Sequence, residues 1–319
     1  MRTFRLLSSL IFLLLLSCSN TGNSYEDFFE EFADKSDSIP VLKKNILIIG
    51  NSASRDAFSY VPFLYEEAGE NFVLNMAILY RGGGSLGGHY DRIISDNPEY
   101  EVDYCLSGKG NKWNYLSGIS ASKILSAAEW DVIILQGTWT ESKDYQLVSQ
   151  RVHKIRDYFS TNVADIPFAF MIVPPNPKAI DEGNLDYEWQ LFAANAQKLL
   201  DNKEVDYVIP CGTAIQNALH TRLKGLGDYK YLSYEGVHLQ EGLPCLVEAY
   251  TATQTFFYLF GIEQTIESSS LEVTQKWVWD KGIPGRHGSV INGTEEDYEL
   301  CKRCAMSAFL NPYNVTSLE

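Results

Sequence analysis

Polar residues that are suited to acyl-transfer chemistry follow one another along the chain, each at the end of an apolar run. Ser52 follows the first run, a glycine stretch at 82–84 follows the second, and Gln136 ends the third. Late in the chain His238 stands three residues after Glu235. A serine hydroxyl becomes a good nucleophile when an imidazole takes its proton, and an acid that orients the imidazole improves it. The developing oxyanion then needs N–H donors, which backbone groups or a side-chain amide can provide.

Each of these residues also has a purely structural interpretation. Ser52 could cap a helix that begins at the turn, and the glycines could form only a turn. Gln136 could saturate backbone groups at a strand end. His238 could simply open a helix, but of the five histidines it alone has an acid three residues before it. The order of the whole set therefore favours the chemical interpretation.

Strand-like and helix-like segments alternate along the chain and must position these residues. This alternation predicts one α/β domain with a parallel sheet and helices on both faces. Ligands of such sheets bind at the carboxyl ends of the strands, where the polar residues lie. The predicted strands are 45–50, 72–79, 131–135, 167–173 and 205–209, and the predicted helices are 56–68, 120–128, 146–160 and 187–200.

The pattern resembles the SGNH, or GDSL-type, hydrolases. In that family a serine lies in a Gly-Asp-Ser turn after the first strand. A glycine follows the second strand, an asparagine follows the third, and an Asp-x-x-His lies near the C-terminus. The chain looks most like a branch of exported bacterial proteins with a Gly-Asn-Ser turn, over residues 45 to about 262. The resemblance implies a three-layer α/β/α fold with a flavodoxin-like parallel sheet, and we assign no cofactor and no metal ligand.

Carried over by position, the resemblance gives each residue a role. Ser52 is the implied nucleophile, His238 the general base and Glu235 the acid that orients it. The implied oxyanion hole consists of the Ser52 N–H, one N–H from Gly83 or Gly84, and the Gln136 amide.

Three residues depart from the family pattern, and they leave two functions open. Asn51 and Glu235 each replace an aspartate, and Gln136 replaces an asparagine. The resemblance implies a serine esterase or deacylase that removes a small acyl group, preferably O-acetyl, from a carbohydrate or similar substrate. The departures at Gln136 and Glu235 favour the alternative, a carbohydrate-binding lipoprotein that keeps the fold with weak or no catalysis.

The N-terminus predicts export and lipid anchoring. Arg2 and Arg5 precede a short apolar run, as they do in a signal peptide. The Leu-Leu-Ser before Cys18 resembles the bacterial lipobox, which implies lipidation of Cys18 and a place in the cell envelope, on the periplasmic or cell-surface side. An ordinary signal peptide with an incidental cysteine is the alternative. The predicted divisions are a lipoprotein signal peptide at 1–17, a tether at 18–40 and an SGNH-hydrolase-like domain at 41–319.

The net charge bears on nucleic-acid binding, and the cysteine spacing bears on disulfide or metal sites. Loss of the two signal arginines lowers the formal net charge from −15 to about −17. Since no basic stripe offsets this charge, we predict no nucleic-acid partner. Cys301 and Cys304 are spaced i, i+3 in a helix-like segment, which fits packing on one face, a disulfide with another partner or, least well, zinc.

Overall fold

The computed structural model describes residues 42–69, 72–106, 112–177, 183–227, 231–285 and 287–318. The predicted signal peptide, Cys18 and the tether lie outside the described residues.

A seven-stranded sheet forms the centre of the fold. Five strands are parallel in the order β2-β1-β5-β6-β7, and they correspond to the five strands predicted from the apolar runs. An antiparallel hairpin, β3 and β4, extends the sheet beyond β2 and was not predicted. The strands are β1 Leu42–Gly50, β2 Phe72–Tyr80, β3 Tyr100–Cys105, β4 Trp113–Ile119, β5 Val132–Leu135, β6 Phe168–Met171 and β7 Tyr207–Ile209, with a separate small hairpin of β8 Ser233–Tyr234 and β9 His238–Leu239.

Helices cover both faces of the sheet. Side chains alternate across a strand, so Ile46 and Ile48 belong to one hydrophobic core while Leu47 and Ile49 belong to the other. These two cores confirm the predicted three-layer α/β/α class. The α-helices are α1 Ser52–Phe58, α2 Val61–Glu67, α3 Leu86–Ser95, α4 Ala121–Leu125, α5 Trp139–Lys143, α6 Tyr145–Asn162, α7 Leu185–Asp201, α8 Cys211–Leu219, α9 Leu243–Leu259, α10 Gln275–Asp280 and α11 Glu295–Leu310, with 3₁₀ turns at Arg222–Gly225 and Ile266–Ser268.

Helix α9 lies inside the fold, between the sheet and α11. Nearly all of its side chains are buried, and its Thr251 and Thr255 hydroxyls donate to carbonyls one turn earlier. On α11, Cys301 and Cys304 are buried and unbridged, as packing on one face predicts. Among the described residues, no helix has both the length and the apolar character needed to cross a membrane.

Candidate active site

The first turn of α1 presents Ser52 at the carboxyl end of β1. Helix α1 begins at Ser52, but Asn51 is its N-cap, because the Asn51 Oδ1 accepts the Ala53 N–H at 3.1 Å. The capping interpretation therefore applies to Asn51. Ser52 is half-buried and lines a cavity. The neighbouring Ser54 is fully buried, and its hydroxyl donates to Gln136 Oε1 at 3.1 Å, so it does not compete as a nucleophile.

Hydrogen bonds from the side chains of Asn51 and Gln136 lock the serine turn to the ends of β2 and β5. The Asn51 backbone N–H donates to Gln136 Oε1 at 2.8 Å, and Asn51 Nδ2 donates to the Gly84 carbonyl at 3.0 Å. Gly50 leaves room for this network, since a Cβ there would lie 2.1 Å from the Ser54 hydroxyl oxygen. Gln136 also donates through Nε2 to the Gly137 carbonyl. One of its two amide hydrogens is therefore not available to the predicted oxyanion hole.

The glycine loop leaves only one of its two predicted oxyanion-hole donors, the N–H groups of Gly83 and Gly84, available. The Gly84 N–H donates to the Arg81 carbonyl at 2.9 Å, which removes it from the oxyanion hole. Gly83 lines the cavity, and its backbone is in the left-handed region with φ +61°. Gly83 is thus the remaining candidate of the pair. Beneath the loop His89 is buried, and burial lowers its pKa to about 3, so it supports the loop as a neutral imidazole.

A buried carboxylate that sequence reasoning missed holds the glycine loop against the end of β5. Glu141 accepts the Leu86 N–H at 3.0 Å and the Gly87 N–H at 3.2 Å, at the start of α3. The same carboxylate accepts the Thr138 N–H and hydroxyl at 3.0 and 3.1 Å, in a capping box at the start of α5. The Thr-x-x-Glu spacing is a sequence signal for this capping box.

The acid next to His238 is Asp56, which replaces Glu235 of the sequence prediction. The Asp56 carboxylate lies 3.5 Å from His238 Nδ1 and also accepts the Leu239 N–H at 3.1 Å. Asp56 is 7% exposed and comes from α1, one turn after Ser52. Glu235 is exposed at the tip of the β8–β9 turn, with φ +53°, and reaches His238 only through a weak charge effect. A turn this tight directs its tip residue to solvent, so the i−3 spacing does not bring the acid to the imidazole.

His287 adds a second imidazole to the site. Its Nε2 lies 3.5 Å from Asp56 Oδ1, and its ring stacks on His238 with centroids 3.9 Å apart and planes 10° apart. The Glu241 carboxylate accepts the His287 backbone N–H at 3.3 Å, which holds the loop in place. No local pattern in the sequence links His287 to His238. These contacts place the loop that carries His287 beside His238 at one edge of the site.

The pKa values of the two imidazoles are shifted in opposite directions. A hydrogen bond that His238 donates to Asp56 raises the pKa of His238, against an opposing effect of burial. Burial lowers the pKa of His287, and Asp56 only partly offsets that effect. As the pH falls, His238 is therefore the ring of the pair that takes up a proton first, and His287 stays neutral to lower pH.

Asp56, His238 and His287 are also the one group of metal-ligating side chains found among the described residues, with ligand atoms within 4.8 Å of one another. An imidazole binds zinc through an in-plane lone pair at about 2.0–2.1 Å. Two nearly parallel rings with centroids 3.9 Å apart do not direct their lone pairs at one such point. The stacked arrangement thus fits a metal poorly and fits a carboxylate between two imidazoles well.

The cavity beside Ser52 and His238 has a volume of about 180 Å³. Its lining includes Trp139, Val173 and consecutive prolines, and the Trp139 indole N–H donates to the Pro174 carbonyl at 3.1 Å. Further lining residues come from α8, α9 and the segment around the β8–β9 hairpin: Ile215, Leu219, Tyr231, Ser233, Val237, Leu239 and Glu248. The cavity is therefore small, mostly apolar and open to the candidate nucleophile and base.

Among solved structures, a DUF4886 family protein from Bacteroides uniformis is similar over 86% of this chain and 98% of its own, at 20% identity and a TM-score of 0.67. The chain shares the fold of that protein. A proposed acylhydrolase from Bacteroides fragilis (8% identity, 85% and 88% covered, TM-score 0.34) and a GDSL-like lipase from Bacteroides thetaiotaomicron (11% identity, 75% and 97% covered, TM-score 0.36) superpose too loosely to support an inference. No family model matches the sequence, and no curated protein matches it significantly.

Proposed function

We propose that the protein is a serine esterase that removes a small acyl group from a carbohydrate or similar alcohol. The observation that carries this proposal is that Ser52, His238 and Asp56 line one cavity, with the acid against Nδ1 of the imidazole. That contact orients the opposite nitrogen, Nε2, away from the acid and leaves it for the serine proton.

In the proposed mechanism the Ser52 hydroxyl oxygen attacks the ester carbonyl carbon, and His238 takes the hydroxyl proton. The Ser52 N–H, the Gly83 N–H and the remaining Gln136 amide hydrogen stabilise the oxyanion. As the C–O bond of the ester breaks, His238 returns the proton to the leaving alkoxide. A water molecule then attacks the acyl-serine with His238 as the base, which releases the carboxylic acid and restores the hydroxyl. Asp56 stabilises the imidazolium in both halves.

The size of the cavity supports a short acyl group, with O-acetyl as the preferred case. A volume of about 180 Å³ suits a small group rather than a long chain. Trp139 presents a half-buried aromatic ring at the cavity wall, and its N–H bond to Pro174 fixes the ring, which suits contact with a sugar face. Trp113 and Trp189 are buried in the cores, so they do not contribute such a surface. We further propose that the protein acts in the bacterial envelope, lipid-anchored through Cys18.

The test uses residues 19–319 and p-nitrophenyl acetate. Release of p-nitrophenol by this protein, and its loss in both Ser52→Ala and His238→Ala, is the expected result. A fluorophosphonate probe should label the wild-type protein and not Ser52→Ala. Ser54→Ala provides the matched control for a neighbouring hydroxyl, with labelling retained. Hydrolysis that survives Ser52→Ala would contradict the assignment of the nucleophile.

One observation favours a second candidate, a carbohydrate-binding protein of the same fold with little catalysis. Gln136 Nε2 already donates to Gly137, which leaves the oxyanion hole with fewer free donors than the family pattern implies. If short-chain esters and acetylated glycans are all inert and the probe fails to label Ser52, this second function is supported.

A further inference from the structure

Glu248 is an ionisable residue of the cavity that the proposed mechanism does not use. It lies in the middle of α9, is 0% exposed and lines the same cavity as Ser52 and His238. Within the part of the chain that the structure describes, neither of its carboxyl oxygens has a hydrogen-bond partner. The nearby Cys211 thiol does not provide one, because it donates to the backbone carbonyl of Glu248 at 3.7 Å.

A buried carboxyl without a partner is costly, so its presence at a cavity wall requires an explanation. Two other buried glutamates are satisfied: Glu141 accepts four hydrogen bonds, and Glu241 accepts from Tyr60 and His287. Glu248 differs because it lines the cavity while both of its carboxyl oxygens lack a partner among the described residues. A ligand in the cavity is therefore the natural partner.

The protonation state of Glu248 indicates the chemistry of this partner. Burial raises its pKa well above the ordinary value of 4.5, and the negative charge of Asp56 adds to the effect. The group is then a neutral carboxylic acid with one O–H donor and one carbonyl acceptor. A hydroxyl group also has one donor and accepts hydrogen bonds, so it matches both atoms. A cation would instead require Glu248 to ionise in an apolar wall.

The location of Glu248 indicates which portion of an ester it contacts. Its helix α9 packs against α1, which carries Asp56, the carboxylate next to His238. Gly83 and Gln136 provide the oxyanion side in the proposed mechanism. In the proposed mechanism His238 protonates the leaving alkoxide, so the alcohol portion lies on the His238 side.

We propose that the Glu248 carboxyl binds a hydroxyl group on the alcohol portion of the substrate, so that the site selects esters of polyols or sugars over esters of simple alkyl alcohols. This inference rests on the proposed esterase function and narrows its substrate class.

The first experiment compares glycerol 1-monoacetate with propyl acetate, two acetates of three-carbon alcohols that differ in hydroxyl groups. The ratio of their kcat/KM values, from acetate release, measures hydroxyl selection. We expect the wild-type protein to prefer the monoacetate about tenfold, the size of one hydrogen bond. Glu248→Gln keeps a donor and an acceptor and should stay within about threefold of the wild-type ratio, while Glu248→Leu should lose the preference. Glu204→Gln alters a buried carboxyl outside the cavity and should keep the wild-type ratio.

The second experiment separates this inference from the proposed function. Saturation-transfer NMR measures binding of the two acetates to Ser52→Ala and to Ser52→Ala/Glu248→Leu, without any need for hydrolysis. Preferential binding of the monoacetate by the single variant, lost in the double variant, supports the inference even if the wild-type protein hydrolyses nothing. Equal binding of both acetates, or an unchanged kcat/KM ratio in Glu248→Leu, overturns it. A preference for 2-(dimethylamino)ethyl acetate that Glu248→Gln abolishes would also overturn it, because it would indicate an ionised carboxylate that binds cations.

Discussion

The carboxylate of Asp56 lies 3.5 Å from Nδ1 of His238, although the two residues lie far apart in the sequence. Asp56 shares the short helix α1 with Ser52. The nucleophile and the acid are therefore fixed relative to each other by one turn of helix, at the i, i+4 spacing that places side chains on one face. The imidazole arrives separately on the β8–β9 hairpin, which the Leu239 N–H bond to Asp56 docks against α1.

The first prediction follows from this contact and concerns the acid. Asp56→Asn keeps the size of the side chain but removes the charge that stabilises the His238 imidazolium, so it should lower kcat/KM about 10²–10⁴-fold. Glu235→Gln makes the same chemical change at an exposed turn and should alter kcat/KM less than about threefold. Steady-state hydrolysis of p-nitrophenyl acetate measures both. A larger loss in Glu235→Gln than in Asp56→Asn would restore Glu235 as the orienting acid.

The second prediction concerns the pH dependence of hydrolysis. A general base acts in its neutral form, and the Asp56 hydrogen bond raises the pKa of His238 above its ordinary value of 6.5. The acid limb of the profile of kcat/KM against pH should therefore have its midpoint above pH 6.5. In Asp56→Asn the imidazolium loses its partner while burial remains, so the midpoint should move to lower pH. An acid limb that stays unmoved in this variant would show that Asp56 does not set the titration of the base.

The third prediction concerns the asparagine in the serine turn. Asn51→Asp restores the residue usual in GDSL-type hydrolases, yet an aspartate cannot donate to the Gly84 carbonyl as Asn51 Nδ2 does at 3.0 Å. The carboxylate keeps the helix cap but faces a carbonyl oxygen. We expect a loss of about 1–2 kcal/mol in the free energy of unfolding, measured by urea denaturation. Asn97→Asp adds the same charge at an exposed position and should change stability little.

Local patterns in the sequence predict the parallel sheet and most of the nucleophile side of the site. The five parallel strands and the Ser52 turn follow from apolar runs and a small polar turn, because both depend on neighbours in sequence. The role of Asp56 does not follow from local patterns, because Asp56 reaches His238 through the docking of α1 against a hairpin that is distant in the sequence. His287 has no local signal for the same reason. Its place beside His238 depends on a loop held by Glu241.

The fourth prediction concerns the lipid anchor. Cys18→Ala removes the only residue that the lipobox resemblance marks for acylation, so the variant should move from the membrane fraction to the soluble fraction of the expressing bacterium. Immunoblotting of the two fractions measures the change. Ser19→Ala, at the next position, provides the control and should stay with the membrane. Membrane retention of Cys18→Ala equal to that of the wild-type protein would contradict lipidation at this residue.

The fifth prediction concerns the stability cost of Glu248. A buried carboxyl without hydrogen bonds costs about 1–3 kcal/mol, so Glu248→Leu should raise the free energy of unfolding by about that amount at pH 8. Glu204→Leu should have the opposite effect, because Glu204 accepts a hydrogen bond from the Tyr145 hydroxyl at 2.6 Å. Urea denaturation of the three proteins measures both changes.

The stability cost of burying Glu248 should increase as the pH rises. In the unfolded chain Glu248 ionises near its ordinary value of 4.5, whereas burial keeps it protonated to higher pH in the folded protein. As the pH rises past about 4.5 the unfolded state releases this proton first, so the wild-type protein loses stability relative to Glu248→Leu. The advantage of the variant should therefore be smaller at pH 4.5 than at pH 8. An advantage that is equal at both pH values would mean that Glu248 ionises normally in the folded protein, with its charge compensated inside the cavity wall.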